Sequence, residues 1–352
     1  MYKIFTMVVA VLMTVVVSAQ DISSQLDKVL SAPRKKQAFN GTALVVHRGN
    51  ILLYKGYGYK HIIAGTLNDT ASIYRIGSLT KPFTATVILR LAEEKKLSLQ
   101  DPLSKFLPQY PKGDIITVEH LLTHSSGVKE YLQVKAIQDL PDGSPPVDRD
   151  RLIAYFSHEP LTMQPGAKFS YSNSNYILLA AVVERVTGNN FEQEVRRLFF
   201  DPLGMQHSGY DFKHVRSSNK TTGHLTMKDS SIVKTDFDSS WAPGCGAMYS
   251  TAMDIYRWYR GLYDGRVIQD SMRDQAFVHR NGDYGYGWFN EQKQGRTCIS
   301  HAGGVPGFQA NLQFYPKDDL CVIILSNSSE RDIFLDSDQL AQVVFRATKA
   351  GH

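Results

Sequence analysis

Four serines in this 352-residue chain are followed three positions later by a lysine: Ser78/Lys81, Ser126/Lys129, Ser217/Lys220 and Ser231/Lys234. Residues three apart share a helical face, so the lysine can reach the serine hydroxyl wherever the segment is helical. Only Ser78 opens a long apolar run, within Arg75-Ile76-Gly77-Ser78-Leu79-Thr80-Lys81-Pro82-Phe83-Thr84-Ala85. A helix N-terminus at that point offers positive potential and unpaired amides. A lysine amine taken out of water can lose its proton and accept that of the serine, which leaves an activated nucleophile. The competing reading is an N-cap serine beside a snorkelling lysine, and this stretch alone does not choose between them.

Two further segments favour chemistry. Tyr171-Ser172-Asn173 is the one Tyr-x-Asn in the chain and lies between Pro165-Gly166 and the start of a predicted helix. A phenol beside an ammonium gives up its proton more readily and can shuttle it. His301-Ala302-Gly303-Gly304 follows a predicted strand. Glycines there let a substrate lie along the strand edge and leave backbone N–H groups free.

Several flanking segments fit the same picture. They are Leu121-Leu122-Thr123-His124-Ser125-Ser126-Gly127, Pro243-Gly244-Cys245-Gly246-Ala247-Met248-Tyr249-Ser250-Thr251, Tyr286-Gly287-Trp288, and the closing Gly307-Phe308, Phe314-Tyr315-Pro316 and Leu325-Ser326-Asn327. With them the chain resembles the serine β-lactamase and penicillin-binding-protein family, most nearly its class C, D,D-carboxypeptidase and esterase branch. The resemblance covers nearly the whole chain after the first 19 residues. It implies acyl transfer without a cofactor or metal. Ser78 would form the acyl-enzyme, and Lys81 and Tyr171 would share the proton as a coupled unit. Asn173 would hold the acylamide or the lysine, and the amides of Ser78 and Gly304 would form the oxyanion hole. Class C β-lactamases resemble one another in a Lys-Thr-Gly third motif, and this chain has His301-Ala302-Gly303 instead. The cation becomes a histidine, partly neutral at pH 7. The hydroxyl that would grip a substrate carboxylate is absent. A general serine hydrolase of an ester, amide or small peptide is therefore favoured. A β-lactamase or D-alanyl-D-alanine carboxypeptidase is the first alternative, and a non-catalytic or once-acylated sensor is another.

Positioning these residues requires an α/β (α+β) architecture. Residues 41–48 and 51–59 read as a hairpin, and 284–290, 297–302, 308–315 and 320–326 read as strands. A buried helix begins near Ser78. Thr117 caps a short helix through Thr123, Asn173–Val186 forms another stopped by Gly188, and 191–200 follows. Residues 205–244 read as irregular. Ser250 or Thr251 caps a helix to about Leu262, and Ser337–Ala347 closes the chain. Strands at both ends make one antiparallel sheet covered by helices. The α/β part takes residues of about 21–92 and 245–352, within a catalytic unit of 20–352. The inserted helical part takes about 93–244, with a cleft between the two.

Composition agrees with a globular enzyme, at 43% hydrophobic and 21% charged. The formal net charge is +5, and no Lys/Arg block marks a nucleic-acid partner. Met1-Tyr2-Lys3, an apolar run from Ile4 to Val17 and Ser18-Ala19-Gln20 read as a signal peptide over 1–19. The run is short of the roughly 20 residues of a membrane span. An exported, periplasmic or secreted protein is expected, with no span in the mature chain. Cys245, Cys298 and Cys321 are an odd number of cysteines. The last two fall on strands with a third between them, roughly 10 Å apart and too far to bridge. His120 and His124 stand four apart but lack the glutamate of a His-Glu-x-x-His zinc site, and read as a packed and a turn-bonding histidine. Tyr57, Tyr59, Tyr284, Tyr286 and Trp288 read as core or cross-strand residues before they read as a pocket lining.

Overall fold

The structure is a computed structural model and describes residues 21–349, apart from 35, 36, 142, 227–231, 236 and 237. The expected signal peptide, residues 1–19, lies outside the described residues. The strands are β1 (Gly41–His47), β2 (Asn50–Tyr57), β3 (Tyr59–His61), β4 (Thr66–Leu67), β5 (Tyr74–Arg75), β6 (His224–Thr226), β7 (Ile232–Lys234), β8 (Tyr249–Ser250), β9 (Phe289–Lys293), β10 (Arg296–Val305), β11 (Phe308–Tyr315) and β12 (Leu320–Ser326). The helices are α1 (residues 21–31), α2 (Thr80–Glu93), α3 (Val118–Leu122), α4 (Lys135–Gln138), α5 (Arg149–Ser157), α6 (Asn173–Thr187), α7 (Phe191–Val195), α8 (Ala252–Tyr263), α9 (Asp270–Phe277) and α10 (Ile333–Lys349).

Both chain ends supply one antiparallel sheet in the order β2-β1-β12-β11-β10-β9. Side chains alternate between its two faces. Ala43, Val45, Val322 and Ile324 join a core with Leu26 and Leu30 of α1 and Leu340, Ala341 and Val344 of α10. Leu44, Val46, Ile323 and Leu325 join the larger core formed with α2, α6 and α8. Burial on both faces explains why β1 and β12 read as continuous apolar runs rather than alternating ones. It also places Cys298 and Cys321 on strands separated by β11, and all three cysteines are free and buried.

Helix α2 is the hub. It is buried from Thr80 through Leu89, with Phe83 stacked on Trp258 at 3.8 Å between ring centroids. Thr117 caps α3 by accepting the His120 N–H. Gly188 ends α6 in the left-handed conformation, at φ 71°, and the Thr251 side chain caps α8.

The fold departs from the reading in several places. The strand expected over 284–290 begins only at Phe289. Gly287 takes φ +81°, and a Cβ there would stand 2.6 Å from the Ala85 Cβ. Close packing against α2 thus turns the segment despite its aromatic, strand-favouring residues. Residues 196–200 form a π-helical turn rather than a continuation of α7. The segment 205–244 holds the small β6–β7 hairpin. Helices α1, α4, α5 and α9 were not expected; the last three are short, at four, nine and eight residues.

Candidate active site

Ser78 sits in a single 3-10 turn, Gly77–Leu79, that runs directly into α2. Its hydroxyl caps neither segment. Instead it accepts a hydrogen bond from Lys81 Nζ at 3.0 Å. The N-cap reading is therefore excluded. Lys81 is fully buried. Its ammonium spends the remaining donors on Asn173 Oδ1 at 2.7 Å and the Cys245 carbonyl at 2.9 Å. Three donors meet three neutral acceptors, so the buried charge is satisfied by dipoles alone. The faces of Tyr171 and Tyr176 add to this, with centroids 4.8 Å and 5.7 Å from Nζ. Ser78, Tyr171 and Asn173 are half-buried, so solvent reaches the Ser78 turn while the lysine stays dry.

The segment that supplies the Cys245 carbonyl is tied to α2. Thr84 donates to the Gly244 carbonyl at 2.6 Å, and Thr80 Oγ1 accepts the Met248 N–H at 3.2 Å. The Ile76 N–H donates to the Met248 carbonyl at 3.0 Å, next to the β5–β8 pairing. The Cys245 thiol is itself buried and pushed up to about 12 by desolvation, despite the nearby Lys81 cation. A nucleophilic role for it has no support.

Asn173 opens α6, and its N–H donates to Glu130 Oε2 at 2.5 Å. Ser174 accepts the Tyr131 N–H and donates to the Lys129 carbonyl, at 2.8 and 2.7 Å. Asn175 accepts the Ser126 hydroxyl at 2.5 Å. The loop after α3 thus fixes the start of α6 and aims Asn173 at Lys81.

The third motif lies on β10, where the strand runs past its neighbour. Strand β9 pairs only with Arg296–Ser300, which leaves the edge from His301 to Val305 facing the Ser78 turn. An ideal Cβ on Gly303 would stand 1.8 Å from the Ile76 carbonyl oxygen and 2.8 Å from the Ser78 amide nitrogen. One on Gly77, at φ +51°, would stand 2.6 Å from the Gly304 nitrogen. Glycine at 303 and 77 is what lets strand and turn meet. In the hairpin β10–β11, Val305 pairs with Phe308 across a two-residue loop. Such a closing pair exchanges hydrogen bonds, so alternation points the Gly304 N–H off the open edge. The Ser78 N–H belongs to the first helical turn, which has no intrahelical acceptor. Both amides thus lie outside the helical and strand ladders, beside the Ser78 turn.

His301 is buried rather than presented to solvent. Its Nδ1–H donates to the Ala302 carbonyl at 2.7 Å, which leaves Nε2 to accept the Tyr284 hydroxyl at 3.2 Å. Burial, with the Lys81 cation nearby, pushes the imidazole down to about 3. The expectation of a partly charged histidine is corrected: the position is neutral at pH 7.

The other Ser-x-x-Lys pairs are dispersed. Lys129 pairs with Glu159, and Ser126 turns to Asn175. Ser217 Oγ accepts the Asn219 N–H, and Lys220 reaches the Lys213 carbonyl. Ser231 lies outside the described residues. His120 completes the α3 capping box rather than facing a metal. Tyr284, Tyr286 and Trp288 are core residues. A cavity of about 540 Å³ on the helical side, lined by Phe106, Tyr110, Ile153 and His158 among others, contains none of the site residues. Glu130 was missed in the sequence, where nothing marks a lone glutamate as reaching a residue more than 40 positions away. The sequence offered no more than one packed and one turn-bonding histidine at 120 and 124; His120 does the bonding, and the packed ring is that of His124, which stacks on Tyr171.

The model of the Beta-lactamase family matches residues 26–345. A Bacillus subtilis (strain 168) protein whose name, PbpX, places it among penicillin-binding proteins is 31% identical over 297 residues, 83% of this chain and 72% of that one. The solved penicillin binding protein from Bacillus halodurans is 26% identical with a TM-score of 0.75, over 94% of this chain and 99% of that chain. A D-stereospecific amidohydrolase from Streptomyces sp. shares the fold with a TM-score of 0.75 at 24% identity, over 86% of this chain and 94% of that chain.

Proposed function

The chain belongs to the Beta-lactamase family of serine hydrolases, and from that premise we propose that it forms an acyl-enzyme on Ser78 with an ester, amide or small peptide. The observation that carries this reading is the 3.0 Å hydrogen bond between Lys81 Nζ and Ser78 Oγ. Ser78 Oγ attacks the substrate carbonyl, and its proton passes to the Lys81–Tyr171 unit, which accepts it only when it stands one proton short, as ammonium with phenolate or as amine with phenol. The carbonyl oxygen becomes an oxyanion held by the Ser78 and Gly304 amides. As the tetrahedral intermediate collapses, the bond to the leaving group breaks and that group takes up the proton. Water then repeats the sequence on the acyl ester, releases the acid and restores Ser78. Asn173 keeps the ammonium aligned through its 2.7 Å hydrogen bond.

The substrate class follows from the third motif. A neutral, buried His301 and an alanine at 302 offer neither a cation nor a hydroxyl to a substrate carboxylate. That disfavours β-lactams and D-alanyl peptides relative to neutral esters and amides. The amidohydrolase fold neighbour is consistent with an amide substrate. Intact-mass measurement after exposure to p-nitrophenyl esters, amino-acid amides and β-lactams tests the reading, with Ser78→Ala as control. A covalent adduct on any residue other than Ser78 refutes it. The relatives named for penicillin binding favour a second reading, acylation by β-lactams. Faster turnover of a chromogenic cephalosporin than of a p-nitrophenyl ester would select it. Export belongs to the same proposal, supported by the leader-like residues 1–19. It predicts an exported product, periplasmic or secreted, beginning at Gln20.

A further inference from the structure

We propose that His124 is a positioning residue for Tyr171, gripping the tyrosine from both sides along the chain and from beneath its ring. The inference rests on the hydrolase reading only for its kinetic consequence; the grip itself is a matter of geometry. The His124 carbonyl accepts the Ser170 N–H at 2.8 Å. Its Nδ1 accepts the Ser172 N–H at 3.1 Å. The residues on either side of Tyr171 are thereby tied to one histidine 47 positions earlier in the chain. Between those ties the two rings lie nearly parallel, with centroids 4.3 Å apart and planes inclined by 29°. Lys81 also lies against the phenol ring, its ammonium 4.8 Å from the Tyr171 centroid.

The cost of placing His124 there argues that the placement matters. It is fully buried and adopts φ +53°, the left-handed region that only a few per cent of non-glycine residues occupy, histidine among the commoner of them. Strain of this kind persists where the surroundings over-determine it, as at active sites. Because Nδ1 is an acceptor, the single proton of the neutral ring sits on Nε2. That atom is buried without a hydrogen-bond partner among the described residues. Asn175 Nδ2, 3.2 Å away, also faces Nδ1. Desolvation by burial sets the ring against a proton, and the nearby Lys81 cation adds to that bias. Tyr171, Tyr176, Tyr284 and Phe169 are the rings packed on it. A neutral, flat support holds the phenol beside the ammonium without adding a second charge.

Two variants separate the parts of the grip. Asparagine at 124 tolerates positive φ and keeps an oxygen where Nδ1 stands, so His124→Asn preserves the backbone ties and removes only the ring. His124→Phe preserves the ring and removes the acceptor. For p-nitrophenyl ester hydrolysis, His124→Asn is expected to lower kcat by about 10²-fold, as for a misplaced catalytic group, with KM changed by less than about threefold. The pH–rate limb that reports the Lys81–Tyr171 unit is expected to move, which a merely structural loss would leave in place. A readout independent of turnover is the ring signals of tyrosine-labelled protein, with Tyr171 assigned by Tyr171→Phe. Loss of the stack should change the Tyr171 shifts and speed its ring flips in His124→Asn while the other tyrosines hold. Unchanged Tyr171 signals in a folded His124→Asn protein overturn the proposal, whatever the kinetics. If the wild type hydrolyses nothing but the Tyr171 signals respond, the positioning role stands and the hydrolase reading falls.

Discussion

Gly303→Ala is the sharpest test of the oxyanion arrangement. The added methyl would lie 1.8 Å from the Ile76 carbonyl oxygen and 2.8 Å from the amide nitrogens of Ser78 and Leu79. All three are backbone atoms, so no side chain can swing aside. To reach a tolerable 3.0 Å, β10 and the nucleophile turn must separate by about 1.2 Å. Oxyanion donors act at roughly 2.7–3.1 Å, so a retreat of that size carries the Gly304 N–H to about 4 Å and removes it from the reaction. Loss of one such donor costs about 2.7–4 kcal/mol of barrier, or roughly 10²–10³ in kcat. Gly304→Ala is the matched control. Its Cβ would meet only the Phe308 carbonyl oxygen, at 3.9 Å, and the donor would stay in place. The assay is steady-state hydrolysis of p-nitrophenyl acetate by both variants, with thermal melts to show that each is folded. A folded Gly303→Ala enzyme within about threefold of wild type would refute the argument, because the donor would then contribute less than 1 kcal/mol of barrier.

The remaining expectations concern charge and burial. Lys81→Met should abolish the proton transfer and lower the acylation rate by about 10²–10⁴-fold. It also strands the Asn173 Oδ1 and Cys245 carbonyl acceptors, so the melting temperature should fall as well, which calorimetry would detect. Stability should decrease on acidification. His301 is depressed to about 3 in the folded protein and returns to its ordinary value on unfolding, so the unfolded chain binds the extra proton. The stabilisation from a neutral His301 is complete above about pH 6.5 and is lost as pH falls toward 3, at up to about 1.4 kcal/mol per pH unit. His124, also depressed, adds in the same direction. Urea midpoints at pH 7.5, 5.5 and 4.5 should show the slope, and His301→Gln should reduce it to the share left by His124. Arg331 is buried and holds Asp336 through both carboxylate oxygens at 2.7 and 2.9 Å, while reaching the Val29 and Ala32 carbonyls of the N-terminal segment. Arg331→Leu should destabilise by about 3 kcal/mol, the lower end for breaking a buried pair because Arg34 also contacts Asp336. The variant should leave kcat unchanged, as measured by denaturation and ester hydrolysis side by side.

Much of this was legible before any coordinates. The Ser78–Lys81 pair depends on helical periodicity, the Thr117 and Thr251 caps on side-chain oxygens, and the Gly188 stop on positive φ. Each is a local rule acting over a few residues, so residue identity alone fixes it. The strand expected at 284–290 failed because a local preference met a tertiary demand, the close approach of Gly287 to α2. The charge state expected of His301 failed for a related reason. Histidine chemistry is set by surroundings, and nothing in the chain announces that position 301 is dry and bonded to Tyr284. What the residues determined unaided was the kit: a serine with its lysine, a phenol and amide pair, and a glycine-edged strand. Tertiary structure alone brought the Ser78–Lys81 pair, already singled out by its apolar helix, into contact with that kit, and it set the histidine at 124 against the tyrosine at 171. Those outcomes depend on distances between residues that are dozens to hundreds of positions apart. Sheet order and core packing set such distances, and no local pattern encodes them.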